Sequence, residues 1–339
     1  MADSAMTLSE HLAHQQPSSS PAPTSTTTHK SVAVVLERLA RVAVDIAQEL
    51  ASAALRGRLG VVGGTNFTGD QVKKMDVWGH EVVVAALRET GVCAAVVSEE
   101  APDPVEMKEA AGPDAVVVCT DPVDGSSNLD VNGSVGTIFG IRAGDGKAPA
   151  ASAALGPGTQ QLAAGYVMYG PATTLVYTTG HGTHGFTLDR SSGQFRLTHP
   201  DIRIPERGKV YGINEGNGHT WHPGQRAFVE HLKTRDKASG RPYSLRYSGA
   251  MVADVHRTLL DGGLFMYPAD WSDPKKPKAK LRLLYEVAPM GMVVEQAGGR
   301  ASTGLERVMD LVATEYHQRA SVILGSPHDV AMADEFYRR

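Results

Sequence analysis

Carboxylates stand directly after two apolar runs of the sequence. The stretch TDPVDGSSNLD, residues 120–130, follows the run AVVVC and places Asp121 and Asp124 beside two hydroxyls. The earlier run CAAVVS is followed by Glu99 and Glu100. Short runs of small and β-branched residues predict buried strands. If these two strands are neighbours, the four carboxylates converge at one end of a sheet.

A cluster of this kind favours a divalent cation. Unbalanced, the negative charges repel one another and raise the pKa of each carboxyl. Carboxylate oxygens suit Mg²⁺ or Mn²⁺, whereas the His and Cys ligands that zinc prefers are missing from the cluster. The alternative is that Asp124 and Gly125 only form a tight turn. Pro122 and the Ser-Ser-Asn that follows fit a hairpin poorly, so the metal site is favoured.

Gly125, Ser126 and Ser127 add a second chemical feature to the same stretch. Glycine lets the backbone approach a ligand closely, and consecutive N–H groups with two hydroxyls can bind an oxyanion. Metal-binding carboxylates beside such a cradle indicate phosphoryl transfer or phosphate hydrolysis. The sequence has no GxxxxGK[ST] loop, so an ATP-driven reaction lacks its usual phosphate-binding motif.

Composition excludes several other classes of protein. The 339 residues carry a net charge of −4 without a long basic run, which argues against a nucleic-acid partner. No apolar stretch approaches the roughly 18 residues that span a bilayer, so no membrane partner is expected. The two cysteines, Cys93 and Cys119, lie in apolar runs and are predicted to be core thiols in a reducing compartment.

Residues 1–30 differ from the rest, because QQPSSSPAPTSTTT is a low-complexity stretch. A disordered tail is predicted there. The Ser/Thr content also fits a plastid transit peptide, but Asp3, Glu10 and the late first arginine, Arg38, argue against it. A cytoplasmic location is therefore expected, with the plastid left open.

The remaining pattern predicts an α/β or α+β chain with more than one sheet. Apolar residues at three- and four-residue steps predict a helix over residues 31–60 that Gly57 can end, followed by a loop at residues 63–66. A second helix is predicted around residues 72–91. Alternating runs between residues 161 and 199 predict successive strands, and the last third mixes helices with strands.

Several segments resemble one enzyme family. DPVDGSSN is similar to the DPxDGSSN signature of fructose-1,6-bisphosphatases, although inositol monophosphatases and related lithium-sensitive phosphatases share its DPxDG core. Other segments resemble the bisphosphatase family in the same order: TGDQVKKMDV, VVSEE, INEGN, LRYSGAMVADVHRTL, KLRLLYEVAPMGMVVEQAGG and HQRASVILGSP. The resemblance extends from about residue 55 to the C-terminus.

The resemblance implies a fold and a reaction. The implied fold is a layered αβαβα sandwich of the sugar phosphatase type, with subdomains at residues 31–202 and 203–339. The implied reaction is Mg²⁺-dependent hydrolysis of the 1-phosphate of fructose 1,6-bisphosphate, in gluconeogenesis or sucrose synthesis. Sedoheptulose-1,7-bisphosphatase or dual activity is the alternative. An inositol-phosphate phosphatase and a catalytically inactive sensor are disfavoured, the sensor because the acidic set is complete.

The resemblance also assigns site residues. Two or three Mg²⁺ ions, with Mn²⁺ as a substitute, would be held by Glu99, Asp121, the Val123 carbonyl, Asp124 and Glu286. The attacking water would be positioned and deprotonated by Asp70, Asp76 and Glu100. The 1-phosphate would lie on Gly125, Ser126 and Ser127. The sugar and its distal phosphate would be held by Asn214, Tyr247, Tyr267 and Lys280. Arg246 would reach the neighbouring subunit's site, which implies a homo-oligomer, a tetramer in this family.

Overall fold

The computed structural model describes residues 5–14, 26–65, 71–107, 110, 112, 114–147 and 149–339. Its helices are α1 (Leu8–His14), α2 (Thr26–Ala51), α3 (Lys74–Glu89), α4 (Pro223–Lys233), α5 (Met251–Asp261), α6 (Ala288–Gln296) and α7 (Pro327–Arg338). Its longer strands and short bridging strands, in chain order, are β1 (Val61–Thr65), β2 (Gln71–Lys73), β3 (Cys93–Ser98), β4 (Val105–Glu106), β5 (Val116–Asp124), β6 (Val135–Ala143), β7 (Gly156–Pro157), β8 (Gln161–Tyr169), β9 (Thr173–Thr178), β10 (His184–Asp189), β11 (Gln194–His199), β12 (Val210–Gly212), β13 (Ser244–Leu245), β14 (Leu264–Tyr267), β15 (Arg300–Ser302), β16 (Val312–Ala313) and β17 (Val322–Gly325).

These elements form five layers. Helices α2 and α3 cover one face of an eight-stranded sheet of order β11-β10-β9-β8-β6-β5-β3-β4. Helices α5 and α6 lie between its other face and a five-stranded sheet of order β13-β12-β14-β17-β15. Helices α4 and α7 pack together, and α7 covers the outer face of the second sheet. The predicted αβαβα sandwich is confirmed.

The centre of the large sheet positions the carboxylates. Strand β3 runs parallel to β5, with Val97 opposite Cys119 and Ser98 opposite Thr120. Every residue of both strands is buried, as expected for strands covered on both faces. This pairing confirms the prediction that the two apolar runs are neighbouring strands. Because parallel neighbours end at the same edge of a sheet, the acidic residues that follow them lie at one edge.

The predicted boundary between the two subdomains, at residues 202 and 203, lies between the two sheets. The last strand of the large sheet ends at His199, and β12 begins the second sheet at Val210. One apolar cluster nevertheless contains Ile138 and Tyr166 of the large sheet together with Phe265 of the second. The two halves therefore share a core through the helices between them.

The N-terminal segment differs from its prediction. The disordered tail predicted for residues 1–30 is wrong for Leu8–His14 and for the first turn of α2; residues 1–4 and 15–25 lie outside the described part. Leu8 is buried, His11 Nδ1 is 2.7 Å from the Tyr177 hydroxyl, and Leu197 N–H donates to the Met6 carbonyl over 2.8 Å. Composition did not indicate this short amphipathic helix, because the low-complexity stretch follows it directly in the sequence.

Helix α2 ends at Ala51 rather than at the predicted Gly57. The chain beyond it turns so that Glu49, itself buried, accepts hydrogen bonds from Arg56 and from Arg58, the latter over 2.8 Å. A buried carboxylate is stabilised by such cationic partners. This tertiary contact outweighs the helical pattern that continues in the sequence.

The loop predicted at residues 63–66 is wrong for its described part. Gly63 and Gly64 lie in β1, which pairs with β2 in an antiparallel ribbon. The register shifts within the ribbon, and Gly63 has a φ of 103°. Glycine in a strand commonly marks such an irregularity.

None of the helices in the described ranges is long and apolar enough to cross a membrane.

Helix α3 lies unusually close to β5 at Gly79. A Cβ at this position would lie 2.7 Å from Val123 Cγ2, inside van der Waals contact. Gly79→Ala should therefore lower stability by about 1–3 kcal/mol through overpacking, despite the better helix propensity of alanine. Urea unfolding measures the effect. Glu81→Ala, at an exposed position of the same helix, is the control and should be neutral; equal stability of the two variants would contradict this close contact.

Candidate active site

Three buried carboxylates meet between the two sheets. One oxygen each of Asp121, Asp124 and Glu286 lies within 4.8 Å of the others. Asp121 and Asp124 come from the end of β5, and Glu286 comes from a π-helical turn, Leu283–Val287, that leads into α6. The sequence pattern of the strand end and the resemblance to the family thus indicated side chains that do come together.

Backbone N–H groups orient each of these carboxylates. Asp121 Oδ1 accepts from Val123 N–H over 3.0 Å, and Glu286 Oε2 accepts from Arg282 N–H over 2.6 Å. Asp124 Oδ2 accepts from Val252 N–H over 2.8 Å in the first turn of α5, where the helix dipole favours negative charge. Each carboxylate therefore keeps a second oxygen, or a second lone pair, for a ligand.

A widened helical turn places Glu286. Val287 N–H donates to the Arg282 carbonyl, five residues back, over 3.0 Å. Pro289 has no N–H and so cannot form the bond to the Tyr285 carbonyl that a regular α-helix needs. π-Helical turns of this kind occur often at functional sites. The proline is visible in the sequence, but the hydrogen-bond register of the turn could not be predicted from it.

Arg282 is a site residue that the sequence reasoning missed. Its Nη1 lies 2.8 Å from Glu99 Oε1, and its side chain is only 3% exposed. A buried arginine needs an anionic partner, and Glu99 supplies one. The available signal was a single arginine among the apolar residues of LRLLY, directly before Glu286, since a charge in a buried segment is seldom without a specific role.

Burial and mutual repulsion perturb the carboxyl groups. Burial, followed by the charge of Glu99, raises the pKa of Asp121 and of Glu286 well above the ordinary values. Burial raises the pKa of Asp124 to about 7 and that of Asp76 to about 6. Three carboxyl groups held this closely in a medium of low dielectric constant are destabilised in their ionised form. An all-oxygen donor set of this charge fits a hard divalent cation such as Mg²⁺ or Mn²⁺.

The glycine of the DPVDGSSN motif is required by two constraints. Gly125 has a φ of 76°, in the left-handed region, and a Cβ there would lie 2.4 Å from Ala250 Cβ. It begins a 3₁₀-helix, Ser126–Val131, whose first N–H groups have no acceptor within the helix. The Asn128 amide anchors this helix by donating to the Ser248 carbonyl over 3.0 Å. A cradle for an oxyanion therefore lies directly beside the carboxylates.

Asp76 lies in the first turn of α3 and faces this cradle. Its Oδ2 accepts from Lys73 N–H over 2.8 Å. Glu100 and Asp76 line one cavity together with Ser126 of the cradle. Asp70, the third residue predicted to act on water, lies outside the described residues.

A cavity of about 530 Å³ joins these groups. Predicted site residues that line it are Asp76, Glu99, Glu100, Asp121, Val123, Asp124, Gly125, Ser126, Ser127, Asn214, Tyr247, Tyr267, Lys280 and Glu286. Further lining residues that the sequence reasoning missed include Gln71, Lys73, Phe265 and Arg282. Arg246 is exposed and does not line this cavity; its Nη1 donates to the Leu245 carbonyl.

A second cavity of about 470 Å³ adjoins the first. The two share Asn214, Tyr267 and Lys280, and the second adds Asn217 and Arg319. The space beyond the predicted sugar-binding residues is therefore open and bordered by cationic side chains.

Comparison with known proteins agrees with this geometry. Residues 6–200 match the family model described as the N-terminal domain of fructose-1-6-bisphosphatase, and residues 204–338 match its C-terminal domain. A fructose-1,6-bisphosphatase class 1 from Maridesulfovibrio salexigens is 42% identical over 337 residues, 98% of each chain. A cytosolic fructose-1,6-bisphosphatase from Oryza sativa subsp. indica is 49% identical over 286 residues, 84% of this chain and 83% of its own.

The crystal structure of Leishmania major fructose-1,6-bisphosphatase in its holo form superposes with a TM-score of 0.88 at 36% identity, covering 99% of this chain and 100% of that one. The five-layer fold and the acidic cavity at the junction of the sheets define a sugar phosphatase. Within that class, the chain belongs to the class 1 fructose-1,6-bisphosphatase family.

The perturbed carboxyl groups predict a pH-dependent response to cations. Asp124 and Asp76 have folded pKa values of about 7 and about 6, above the roughly 4 of an unfolded aspartate. The metal-free folded state therefore binds more protons than the unfolded state, and these groups stabilise it less as pH rises through the folded pKa values. A cation that replaces the protons reverses this loss.

The gain in Tm on adding Mg²⁺ or Mn²⁺ to chelator-treated protein should thus be larger at pH 8 than at pH 5.5. Using the difference at each pH cancels contributions from histidines outside the site. Differential scanning fluorimetry measures it, and Asp121→Asn should abolish most of the gain at both pH values. A gain that is independent of pH, or retained in the variant, would sink the assignment of these carboxylates to a cation.

Proposed function

We propose that this chain is a fructose-1,6-bisphosphate 1-phosphohydrolase that requires Mg²⁺ and releases fructose 6-phosphate and phosphate. The observation that carries the proposal is the single cavity in which a carboxylate cluster, an oxyanion cradle and a set of Asn, Tyr and Lys side chains meet. This order of groups matches a sugar with one phosphate to cleave and a second to bind. Membership of the family supports the same reaction.

The carboxylates would hold the metal. The proposed ligands are Glu99, Asp121, Asp124, Glu286 and the Val123 carbonyl. When bound, the cation neutralises phosphate charge and lowers the pKa of the attacking water.

The protein's own groups position the reactants. Asp76 and Glu100 are proposed to accept the proton of the attacking water, with Asp70 assisting. A pKa near 6 suits Asp76 to this role, because a base works best with a pKa near the working pH. The Lys73 N–H fixes the orientation of its carboxylate.

Substrate binding is divided between the two ends of the cavity. Gly125, Ser126 and Ser127 are proposed to hold the 1-phosphate on backbone N–H groups and hydroxyls. The sugar and its distal phosphate are assigned to Asn214, Tyr247, Tyr267 and Lys280. A lysine supplies positive charge to a phosphate, and the tyrosine hydroxyls donate hydrogen bonds from stiff side chains.

The seven-carbon sugar sedoheptulose 1,7-bisphosphate is the second candidate substrate. The adjoining cavity of about 470 Å³ offers room beyond Asn214 and Tyr267 for a longer chain. The fructose name that the similar proteins share favours the six-carbon substrate. On this basis we place the enzyme in gluconeogenesis or sucrose synthesis.

Phosphate release from the two bisphosphates, with and without Mg²⁺, tests the proposal. We expect kcat/KM to favour fructose 1,6-bisphosphate and activity to vanish with chelator. Asp121→Asn should lower kcat by at least about a thousandfold, because it removes a ligand that acts on the transition state. Val131→Ala, at an exposed position outside the cavity, is the control. Near-normal turnover by Asp121→Asn would contradict the assignment of this residue as a metal ligand. Comparable kcat/KM values for the two bisphosphates would indicate dual activity.

A homo-oligomer, a tetramer by family resemblance, is proposed as the working form. Arg246 lies in a run of exposed residues, 244–249, that includes the apolar side chain of Leu245, which is 38% exposed. An exposed arginine that does not line its own cavity is available to a neighbouring subunit. Its guanidinium is suited to bidentate contact with a distal phosphate.

Complementation between subunits tests this role of Arg246. Arg246→Ala and Asp121→Asn should each be impaired as pure proteins, Arg246→Ala mainly through a KM raised about tenfold or more. Hybrids formed by mixing and refolding the two variants should regain activity, because intact carboxylates of one subunit then meet Arg246 of the other. Sedimentation measures the assembly in parallel. Hybrids no more active than the parents would place Arg246 in its own subunit's site or outside any site.

A cytoplasmic location is also proposed. Both cysteines are free and buried, and burial raises the pKa of each thiol to about 12, so neither is a reactive thiolate. Free core thiols are typical of reducing compartments. The rice relative is named as cytosolic.

A further inference from the structure

We infer that Asp130 is a positioning residue for the proposed base Asp76, and that it acts through Lys73; the inference rests on the proposed phosphatase function. Asp130 lies near the end of the 3₁₀-helix Ser126–Val131, outside the cavity. Its two carboxylate oxygens reach two different segments of the chain. No role at this residue follows from the DPVDGSSN signature itself, which ends at Asn128.

Asp130 holds both ends of the β1–β2 ribbon. Its Oδ2 lies 2.5 Å from Lys73 Nζ, at the last residue of β2, and its Oδ1 accepts from Gly60 N–H over 3.0 Å, just before β1. Lys74 N–H donates to the Gly60 carbonyl over 3.2 Å, so these two ends already lie side by side. One carboxylate therefore fixes the base of the ribbon against the 3₁₀-helix.

Lys73 connects this anchor to the proposed base. Its ammonium contacts Asp130, while its backbone N–H donates to Asp76 Oδ2 over 2.8 Å. The Lys73 side chain is only 13% exposed and lines the cavity. Moving the Lys73 side chain would therefore disturb the N–H group that orients Asp76.

The contacts form a chain from the 3₁₀-helix to the proposed base. Asp130 belongs to that helix and binds the Lys73 ammonium, and the Lys73 N–H donates to Asp76. The base and the proposed phosphate cradle are thus held at a set distance from each other. Small displacements of reacting groups lower rates steeply, so this chain of contacts would act by keeping the base in place.

This role differs from a contribution to folding stability. The Asp130 side chain is 40% exposed, and exposed ion pairs stabilise folded proteins little. The hydrogen bonds from Lys73 and Gly60 lower the pKa of Asp130, so it is ionised at neutral pH. Removing it should therefore impair catalysis while leaving the fold intact.

Steady-state kinetics of the full-length enzyme on fructose 1,6-bisphosphate test the inference. Asp130→Ala should lower kcat by about tenfold or more, with KM changed less than about twofold and Tm nearly unchanged. Asp130→Asn keeps an acceptor for Gly60 N–H and should lower kcat less. The double variant Asp130→Ala/Lys73→Met should be no slower than Lys73→Met alone, because both changes break one connection.

The matched control is Asp145→Ala, which removes an exposed aspartate paired with Lys147 at 3.5 Å. Its kcat should equal that of the wild type. An unchanged kcat in Asp130→Ala, or a loss that comes with a large fall in Tm, overturns the inference. Additive losses in the double variant do so as well.

Hydrogen exchange separates this inference from the proposed reaction. In Asp130→Ala, the amides of residues 71–76 should exchange faster than in the wild type and in Asp145→Ala, whatever substrate the enzyme uses. A wild type that releases no phosphate overturns the proposed function. Unchanged exchange in Asp130→Ala overturns the role of Asp130 alone.

Discussion

The structure depends on concentrating negative charge where two parallel strands end. Asp121, Asp124 and Glu286 are buried with oxygens within 4.8 Å of one another, a placement that isolated carboxylates resist. The surrounding protein compensates with fixed dipoles, through the first turn of α5 and the N–H groups of Val123 and Arg282. Arg282 balances Glu99 at the rim of the cluster. The negative charge that these groups leave uncompensated gives the cluster its affinity for a cation.

The site also joins the two halves of the chain. Asp124 leaves the large sheet and accepts its hydrogen bond from Val252, which belongs to the layer between the sheets. Gly125 touches Ala250 so closely that no side chain fits there. Because these contacts cross from one half to the other, the carboxylates reach their arrangement only when both halves have packed. The site is therefore a product of the assembled sandwich rather than of one motif.

Local patterns were enough to predict the strands and the convergence of their carboxylates. β3 and β5 read as near-continuous apolar runs because both faces are covered, and each run is followed by its acidic residues. The ion pair of Arg282 with Glu99, the π-helical turn and the end of α2 at Ala51 could not be predicted in this way. Each depends on a partner distant in sequence or on the register of a turn. Composition likewise hid α1, because seven structured residues adjoin a long low-complexity stretch.

The contact of the N-terminal segment with β11 has a consequence for the sheet as a whole. β11 is an outer strand, and outer strands present unpaired N–H and C=O groups that can recruit another chain and start aggregation. The Met6 carbonyl accepts a hydrogen bond from one of these groups, the Leu197 N–H, and the Arg196 side chain donates to the Ala5 carbonyl over 3.1 Å. The opposite border of the sheet is β4, which is too short to template much pairing. The segment that composition predicted to be disordered thus shields β11, the longer of the two edge strands of the large sheet.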